Sequence, residues 1–170
     1  MKNPKIIPIF PFPMSEGNAL PLAKRIMEVS SKENLYCAKS VFAYDALLQK
    51  QVNKEINEHL KMLGLIPKGN LLVKYYGGID NEYVKPNDNS ILTGIVIVSI
   101  KDGLKKLTLS NPYLINNNNL VFEKSKNPYV DFSFMKSKGD LVIFDSRIKF
   151  DIKIDEEEMV LIFDVILNSK

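Results

Sequence analysis

The chain has 170 residues and a mass of 19.3 kDa, with 45% hydrophobic and 25% charged residues, which fits one soluble globular domain. These values exclude a disordered chain, a collagen-like repeat and a disulfide-stapled mini-protein. The net charge is only +3, and no block of Lys and Arg is long enough for a nucleic-acid-binding arm. No apolar run reaches the roughly 18 to 20 residues that span a bilayer, so we expect no membrane span and a cytoplasmic protein.

Two residue counts limit the chemistry most strongly. The chain has one cysteine, Cys37, which excludes an internal disulfide and any site built from several thiolates. It has one histidine, His59, so a single chain cannot supply a site that needs two imidazoles. We expect Cys37 to be an inert, partly buried thiol and His59 to lie at the surface or boundary of a helix.

The first part of the chain predicts an extended segment and two helices. Residues 6–13 are apolar but contain three prolines, which favours an edge strand or an extended arm. A helix is expected to follow Asn18 and to end near residues 30–31. A second, longer helix is expected over about 46–63, because apolar residues recur every four positions and Asp45 can cap its start.

The pattern changes after Gly69, where short apolar stretches alternate with turn residues. Eight such stretches after two helices favour a mainly β (α+β) fold, a jelly roll with both helices packed on the outside. We expect a single domain over 1–170, with the arm and helices in 1–68 and the sheets in 69–170. The eight predicted strands are 71–76, 91–100, 105–109, 120–123, 130–134, 141–144, 147–154 and 159–167.

Several segments together resemble a known family. Residues 138–146 read Lys-Gly-Asp-Leu-Val-Ile-Phe-Asp-Ser, and residues 90–98 read Ser-Ile-Leu-Thr-Gly-Ile-Val-Ile-Val. They resemble late and middle strands of the 2-oxoglutarate/Fe(II) oxygenases. Residues 160–165, Val-Leu-Ile-Phe-Asp-Val, are similar to that family's last strand, and 9–11 to its first. The resemblance spans most of the chain and implies a double-stranded β-helix.

The same resemblance indicates where the family's functional residues would fall. The His-x-Asp/His pair that binds iron corresponds to Lys85 and Asn87. The second histidine corresponds to Phe150, or to Lys149 if the register slips by one. The basic residue that holds the far carboxylate of 2-oxoglutarate corresponds to Glu158.

All of these positions depart from the family pattern, and the departures are chemically severe. Non-haem iron needs two imidazoles and a carboxylate, whereas Lys85 is cationic and Phe150 has no lone pair. Glu158 would repel a dicarboxylate instead of attracting it. We therefore expect a vestigial pocket at Lys85, Asn87, Phe150 and Glu158, with no metal and no cofactor bound.

The leading hypothesis is a non-catalytic binding, structural or assembly module on an oxygenase-like jelly roll, acting with a protein partner or as a homo-oligomer. The excess of Lys and Asn over Arg suits an AT-rich genome such as that of a phage, which would place the protein in a virion. The alternative is an active oxygenase that binds Fe(II) and 2-oxoglutarate through non-standard ligands. A third reading is a cupin-like enzyme without a metal.

The acidic run 155–158 offers one further candidate, a site for a hard cation together with Asp151. A calcium loop would need oxygen ligands at alternate positions and a central glycine, and neither is present. We therefore expect a solvated hairpin turn there.

Overall fold

The computed structural model describes residues 5–9, 12–35, 38–67, 70–77, 89–101, 103–110 and 131–168. These residues form antiparallel sheets with few helices, as expected for a mainly β fold. The predicted strand over 120–123 lies outside this part of the chain. The strands are β1 (Lys5–Ile9), β2 (Phe12–Asn18), β3 (Asn70–Gly77), β4 (Ser90–Ser99), β5 (Lys105–Ser110), β6 (Asp131–Lys136), β7 (Asp140–Asp145), β8 (Lys149–Ile152) and β9 (Met159–Asn168).

Three helices lie between β2 and β3, where the sequence predicts two. They are α1 (Leu20–Glu33), α2 (Ala38–Tyr44) and α3 (Ala46–Met62). The predicted cap of α3 is confirmed, because the Asp45 side chain accepts a hydrogen bond from the N–H of Leu47. Helix α1 extends past the predicted stop at residues 30–31 and ends at Glu33, where Asn34 caps it in a left-handed conformation. None of the described helices is both long and apolar enough to cross a membrane.

The larger sheet has six described strands in the order β1-β2-β7-β4-β9-β3. The proline-rich segment 6–13, predicted as one edge strand or arm, instead contains most of β1 and the start of β2, a strand not predicted from the sequence. Strand β1 folds back on β2 of the same chain and is an edge strand among the described strands. In this pairing Pro8 lies opposite Pro13. The smaller sheet has three described strands in the order β6-β5-β8.

Two buried clusters show how the layers pack. One cluster joins the three helices to one face of the large sheet, and the other joins the opposite face to the small sheet. Strands β4, β7 and β9 contribute alternate residues to the two clusters, because successive side chains of a strand point to opposite faces. Both faces of these strands are therefore buried, which explains why their sequences are continuous apolar runs.

Two glycines in the segments that carry the family resemblance have a packing role. Gly94 lies opposite Phe163 in the β4–β9 register, and the Phe163 ring covers the space that a Cβ atom of residue 94 would occupy. Gly139 has a φ of 87° and approaches the start of α1, where its carbonyl accepts a hydrogen bond from the N–H of Ala19. Both glycines thus allow close packing around the large sheet.

Candidate functional site

Apolar side chains fill the middle of the space between the two sheets. The half-buried rings of Phe134 and Phe150 pack against these apolar side chains. The interior is therefore a packed core over much of its length. The buried residues of this core include Ile95, Ile97, Leu107, Leu109, Val142, Phe144, Val160 and Ile162.

One end of this core is closed by a group that we call the ionic clamp, formed by Lys105, Asp155 and Glu158. Nζ of Lys105 lies 2.6 Å from Oδ2 of Asp155 and 2.6 Å from Oε2 of Glu158. The Glu158 carboxylate also accepts hydrogen bonds from the backbone N–H groups of Lys101, at 3.0 Å, and Asp155, at 2.8 Å. Because Lys105 begins β5 and Glu158 precedes β9, the clamp connects the two sheets.

The charge state of Glu158 follows from these contacts. The residue is 1% exposed, and burial alone would raise the pKa of its carboxyl group. The hydrogen bond from Lys105 and the two backbone N–H groups outweigh burial and lower the pKa to about 2. Glu158 is therefore an anion at neutral pH. The expected solvated turn is only partly correct, because Asp155 is exposed whereas Glu158 is buried.

A second lysine reinforces the same end of the molecule. Lys136 lies directly opposite Lys105 in the pairing of β5 with β6, so both side chains point to the same face of the small sheet. Lys136 is buried and forms an ion pair with Glu16 on β2 of the large sheet. One of these two lysines of the small sheet thus contacts a carboxylate on β2, and the other contacts a carboxylate just before β9.

The other end of the core holds a group that we call the hydroxyl cluster, formed by Ser90, Thr93, Ser146 and Asp164. Oγ1 of Thr93 donates to Oδ1 of Asp164 at 2.9 Å and lies 3.1 Å from Oγ of Ser146. The Ser146 and Ser90 hydroxyl oxygens are 2.7 Å apart. Thr93 and Asp164 are fully buried, so these hydrogen bonds satisfy polar groups that have lost water.

The sequence contains a signal for the hydroxyl cluster that our interpretation missed. Thr93 occupies the same face of β4 as Ile95 and Ile97, and Asp164 occupies the same face of β9 as Ile162. A polar residue on the core-facing side of a strand indicates either a buried hydrogen-bond network or a functional group. The strand alternation would have identified both residues.

The four positions of the predicted vestigial pocket have different outcomes. Lys85 and Asn87 lie outside the described residues. Phe150 lies on β8 inside the sandwich, with its ring centroid 5.9 Å from that of Phe144 in an edge-to-face arrangement. Glu158 lies in the ionic clamp and directs its carboxylate to Lys105.

Phe150 and Glu158 are placed toward opposite ends of β5. Phe150 pairs with Leu109, whereas Glu158 contacts Lys105, four residues earlier on that strand. At the rise of an extended strand, these positions are about 13 Å apart. Apolar side chains such as Leu107 occupy the space between them.

His59 differs most from the sequence-based expectation. The prediction of a helical position is confirmed, but the prediction of a surface or boundary residue is wrong, since His59 is 2% exposed. Its Nδ1 forms a hydrogen bond with Oγ of Ser15 on β2, while Nε2 has no hydrogen-bond partner among the described residues. An unpaired polar atom in such a place destabilises a fold by about 1 to 3 kcal/mol. Cys37 lies outside the described residues.

We expect the stability of the protein to fall as the pH is lowered from 6.5 to 4. Burial lowers the pKa of His59 from 6.5 to about 4, so in this range the unfolded state binds more protons than the folded state. The free energy of unfolding contributed by this residue is fully present above pH 6.5 and should decrease by about 3 kcal/mol on acidification to pH 4. Urea unfolding at half-unit pH intervals measures this change.

The matched variant is His59→Gln, which cannot gain the proton but keeps a polar group near Ser15. As the pH falls, the free energy of unfolding of the wild type should decrease relative to that of the variant. If the free energies of unfolding of the two proteins ran parallel between pH 6.5 and 4, His59 would not be the source of the pH dependence.

No protein-family model matches the chain, and no curated protein matches its sequence. Among the described residues, no group of three or more His, Cys, Asp and Glu side chains is arranged to hold a metal ion.

Proposed function

We propose that the protein is a non-catalytic jelly-roll module that acts by binding or assembly on a scaffold similar to the 2-oxoglutarate/Fe(II) oxygenases. The strand order supports the jelly-roll part of this proposal. The large sheet contains the order β3-β9-β4-β7, and the small sheet, with the order β8-β5-β6, packs against one of its faces. From β4 onward the chain passes to the small sheet for β5 and β6, returns for β7, and alternates again for β8 and β9, as in a wound double sheet.

The position of His59 is the observation that carries the non-catalytic part of the proposal. This single histidine of the chain lies on α3 and bonds to Ser15, within the layer where the helices cover the large sheet. It is therefore on the side of that sheet that faces away from the sandwich interior. A facial iron site with two imidazoles inside the sandwich cannot be built from the histidines of one chain.

The two described positions of the expected pocket support the same conclusion. Phe150 offers no lone pair for a metal ion and packs against Phe144 as part of the core. Glu158 carries a negative charge that Lys105 and two backbone N–H groups stabilise. An anionic dicarboxylate would be repelled at that point, and the cation nearby is already in an ion pair.

An anaerobic titration with Fe(II) and 2-oxoglutarate tests the proposal. At about 100 µM protein, a concentration suited to micromolar affinities, we expect calorimetry to detect binding of neither Fe(II) nor 2-oxoglutarate. We also expect no charge-transfer absorption of a ternary complex. Appearance of that absorption in the wild type would contradict the proposal and favour an active oxygenase with non-standard ligands. The His59→Gln variant would then show whether this histidine is a ligand.

A further inference from the structure

A cavity of about 310 Å³ lies outside the sandwich interior, where the last turn of α1 meets the end of β4 and the start of β9. It is on the helix-covered side of the large sheet. Its volume is at the lower end of the range for sites that bind small molecules. The cavity shares no lining residue with the ionic clamp, the hydroxyl cluster or the apolar core between the sheets.

The base of the cavity is apolar and adaptable. Met27 of α1 and Met159 of β9 both line it, and Met159 is buried. Thioether side chains are flexible and polarisable, so they pack against alkyl groups of different lengths. The base thus suits a short aliphatic chain.

The walls of the cavity supply hydrogen-bond acceptors. Ser30 and Ser31 belong to the last turn of α1, and Ser99 closes the opposite side from β4. The carbonyl of Ser30 already accepts hydrogen bonds from the N–H groups of Asn34 and Leu35. The aligned peptide dipoles of α1 still place a partial negative charge at this end of the helix. This end of the cavity therefore favours a cation over an anion.

The rim holds two residues with an unusual backbone conformation. Asn34 has a φ of 52° and Glu157 a φ of 68°, and they are the non-glycine residues with positive φ in the described part of the chain. Glycine adopts this conformation at lower cost than a residue with a Cβ atom. At position 157 the conformation instead places a carboxylate beside the cavity.

The Glu157 carboxylate is available to a ligand. Its ion pair with Nζ of Lys101 spans 3.2 Å, and both side chains are about half exposed or more. A solvent-exposed ion pair of this kind contributes little to stability. A ligand cation can therefore take the place of Lys101 at the Glu157 carboxylate or bind beside it.

We propose that this cavity binds a primary alkylammonium group, with the charge beside Glu157 and the end of α1 and the alkyl chain over Met27 and Met159. The ammonium group can belong to a free small amine or to a lysine side chain of another protein. Both sources have the same chemistry, and the probes below distinguish them.

Methyl NMR of protein carrying ¹³C-methyl methionine tests the proposal, with n-butylammonium, n-butanol and Nα-acetyl-lysine N-methylamide as probes. We expect saturable shifts of the Met27 and Met159 signals with one or both of the cationic probes. The signal of Met135, which is exposed on β6 of the small sheet, should remain in place. Tighter binding of the lysine derivative would identify a lysine side chain as the source, and tighter binding of n-butylammonium a free amine.

Charge-specific variants complete the experiment. Glu157→Gln should weaken binding of the cationic probe about fivefold, as expected for loss of one exposed ionic contact. Glu156→Gln is the matched control, since this neighbouring carboxylate does not line the cavity, and it should bind like the wild type. Glu157→Gly removes the carboxylate and also relieves the cost of a positive φ at this position. It should bind the cationic probe as weakly as Glu157→Gln does.

Three results would overturn the proposal. They are the absence of shifts at Met27 and Met159 with both cationic probes, equal affinity for n-butanol, and equal affinity of Glu157→Gln and the wild type.

Discussion

Replacing Gly94 with alanine is expected to destabilise the protein by about 3 kcal/mol, because the new methyl group would overlap the Phe163 ring. Gly94 lies in the middle of β4 with neighbours on both sides, β7 and β9, and with both faces of the strand buried. The backbone cannot move away from Phe163 without disturbing one of these pairings. Chemical unfolding of the variant, monitored by circular dichroism, measures the loss.

A double-mutant cycle identifies the cause of this loss. Phe163→Leu alone should destabilise the protein by about 1 to 2 kcal/mol, because it removes buried apolar surface. Combined with Gly94→Ala, it should recover part of the stability, since the smaller side chain leaves room for the methyl group. Additive losses in the double variant would show that the Phe163 ring is not the obstacle.

Replacing Lys105 with methionine is expected to lower the melting temperature by roughly 10 °C at neutral pH, because Glu158 would remain buried without its cation. The pKa of Glu158 should rise in the variant, since burial raises it and the hydrogen bond from Lys105, one of the three that oppose burial, is gone. Lys106→Met is the matched control, because Lys106 is the next residue on β5 but is exposed, and it should change the melting temperature little.

The effect of Lys105→Met should depend on pH in a defined direction. In the wild type, the folded-state pKa of Glu158 is about 2, below its ordinary value of 4.5, so its stabilising contribution is present above pH 4.5. This contribution disappears as the pH falls from 4.5 to 2. The difference in stability between the wild type and Lys105→Met should therefore be largest above pH 4.5 and smallest near pH 2.

A second substitution tests whether the unpaired charge causes the instability. Lys105→Met combined with Glu158→Gln removes both charges and should be more stable than Lys105→Met alone. A double variant that is less stable than Lys105→Met would show that the hydrogen bonds from the N–H groups of Lys101 and Asp155 stabilise the Glu158 carboxylate even without Lys105.

Local sequence patterns predict the described strands after Gly69 well, but they miss β2 and the way in which the strands combine. The apolar runs that become β4, β7 and β9 were recognisable because these strands are buried on both faces. The short helix α2 was missed, since its seven residues are too few to show a helical period. Which strands join the large sheet and which the small one depends on long-range pairing that no local pattern encodes.

The candidate site shows the same limit at the level of single residues. His59 lies one position away from the apolar stripe of α3, which favours a boundary position. It is buried because β2 brings Ser15 against that flank of the helix. The sequence resemblance suggested a shared pocket for Phe150 and Glu158, but it contained no indication that Lys105 would pair with Glu158. Burial and ion pairing of this kind arise from tertiary packing.

The proline pair between β1 and β2 has a consequence for self-association. Pro8 and Pro13 face each other, and neither has an N–H group, so this position cannot be a hydrogen-bonded pair of the ladder. In a non-hydrogen-bonded pair the amide groups point away from the partner strand, so the missing donor of Pro8 belongs to the outer edge of the large sheet. An incoming strand would lack a partner in the middle of β1. The N-terminal hairpin thus protects this edge against amyloid-like stacking, and growth of the sheet by strand addition is disfavoured on this side.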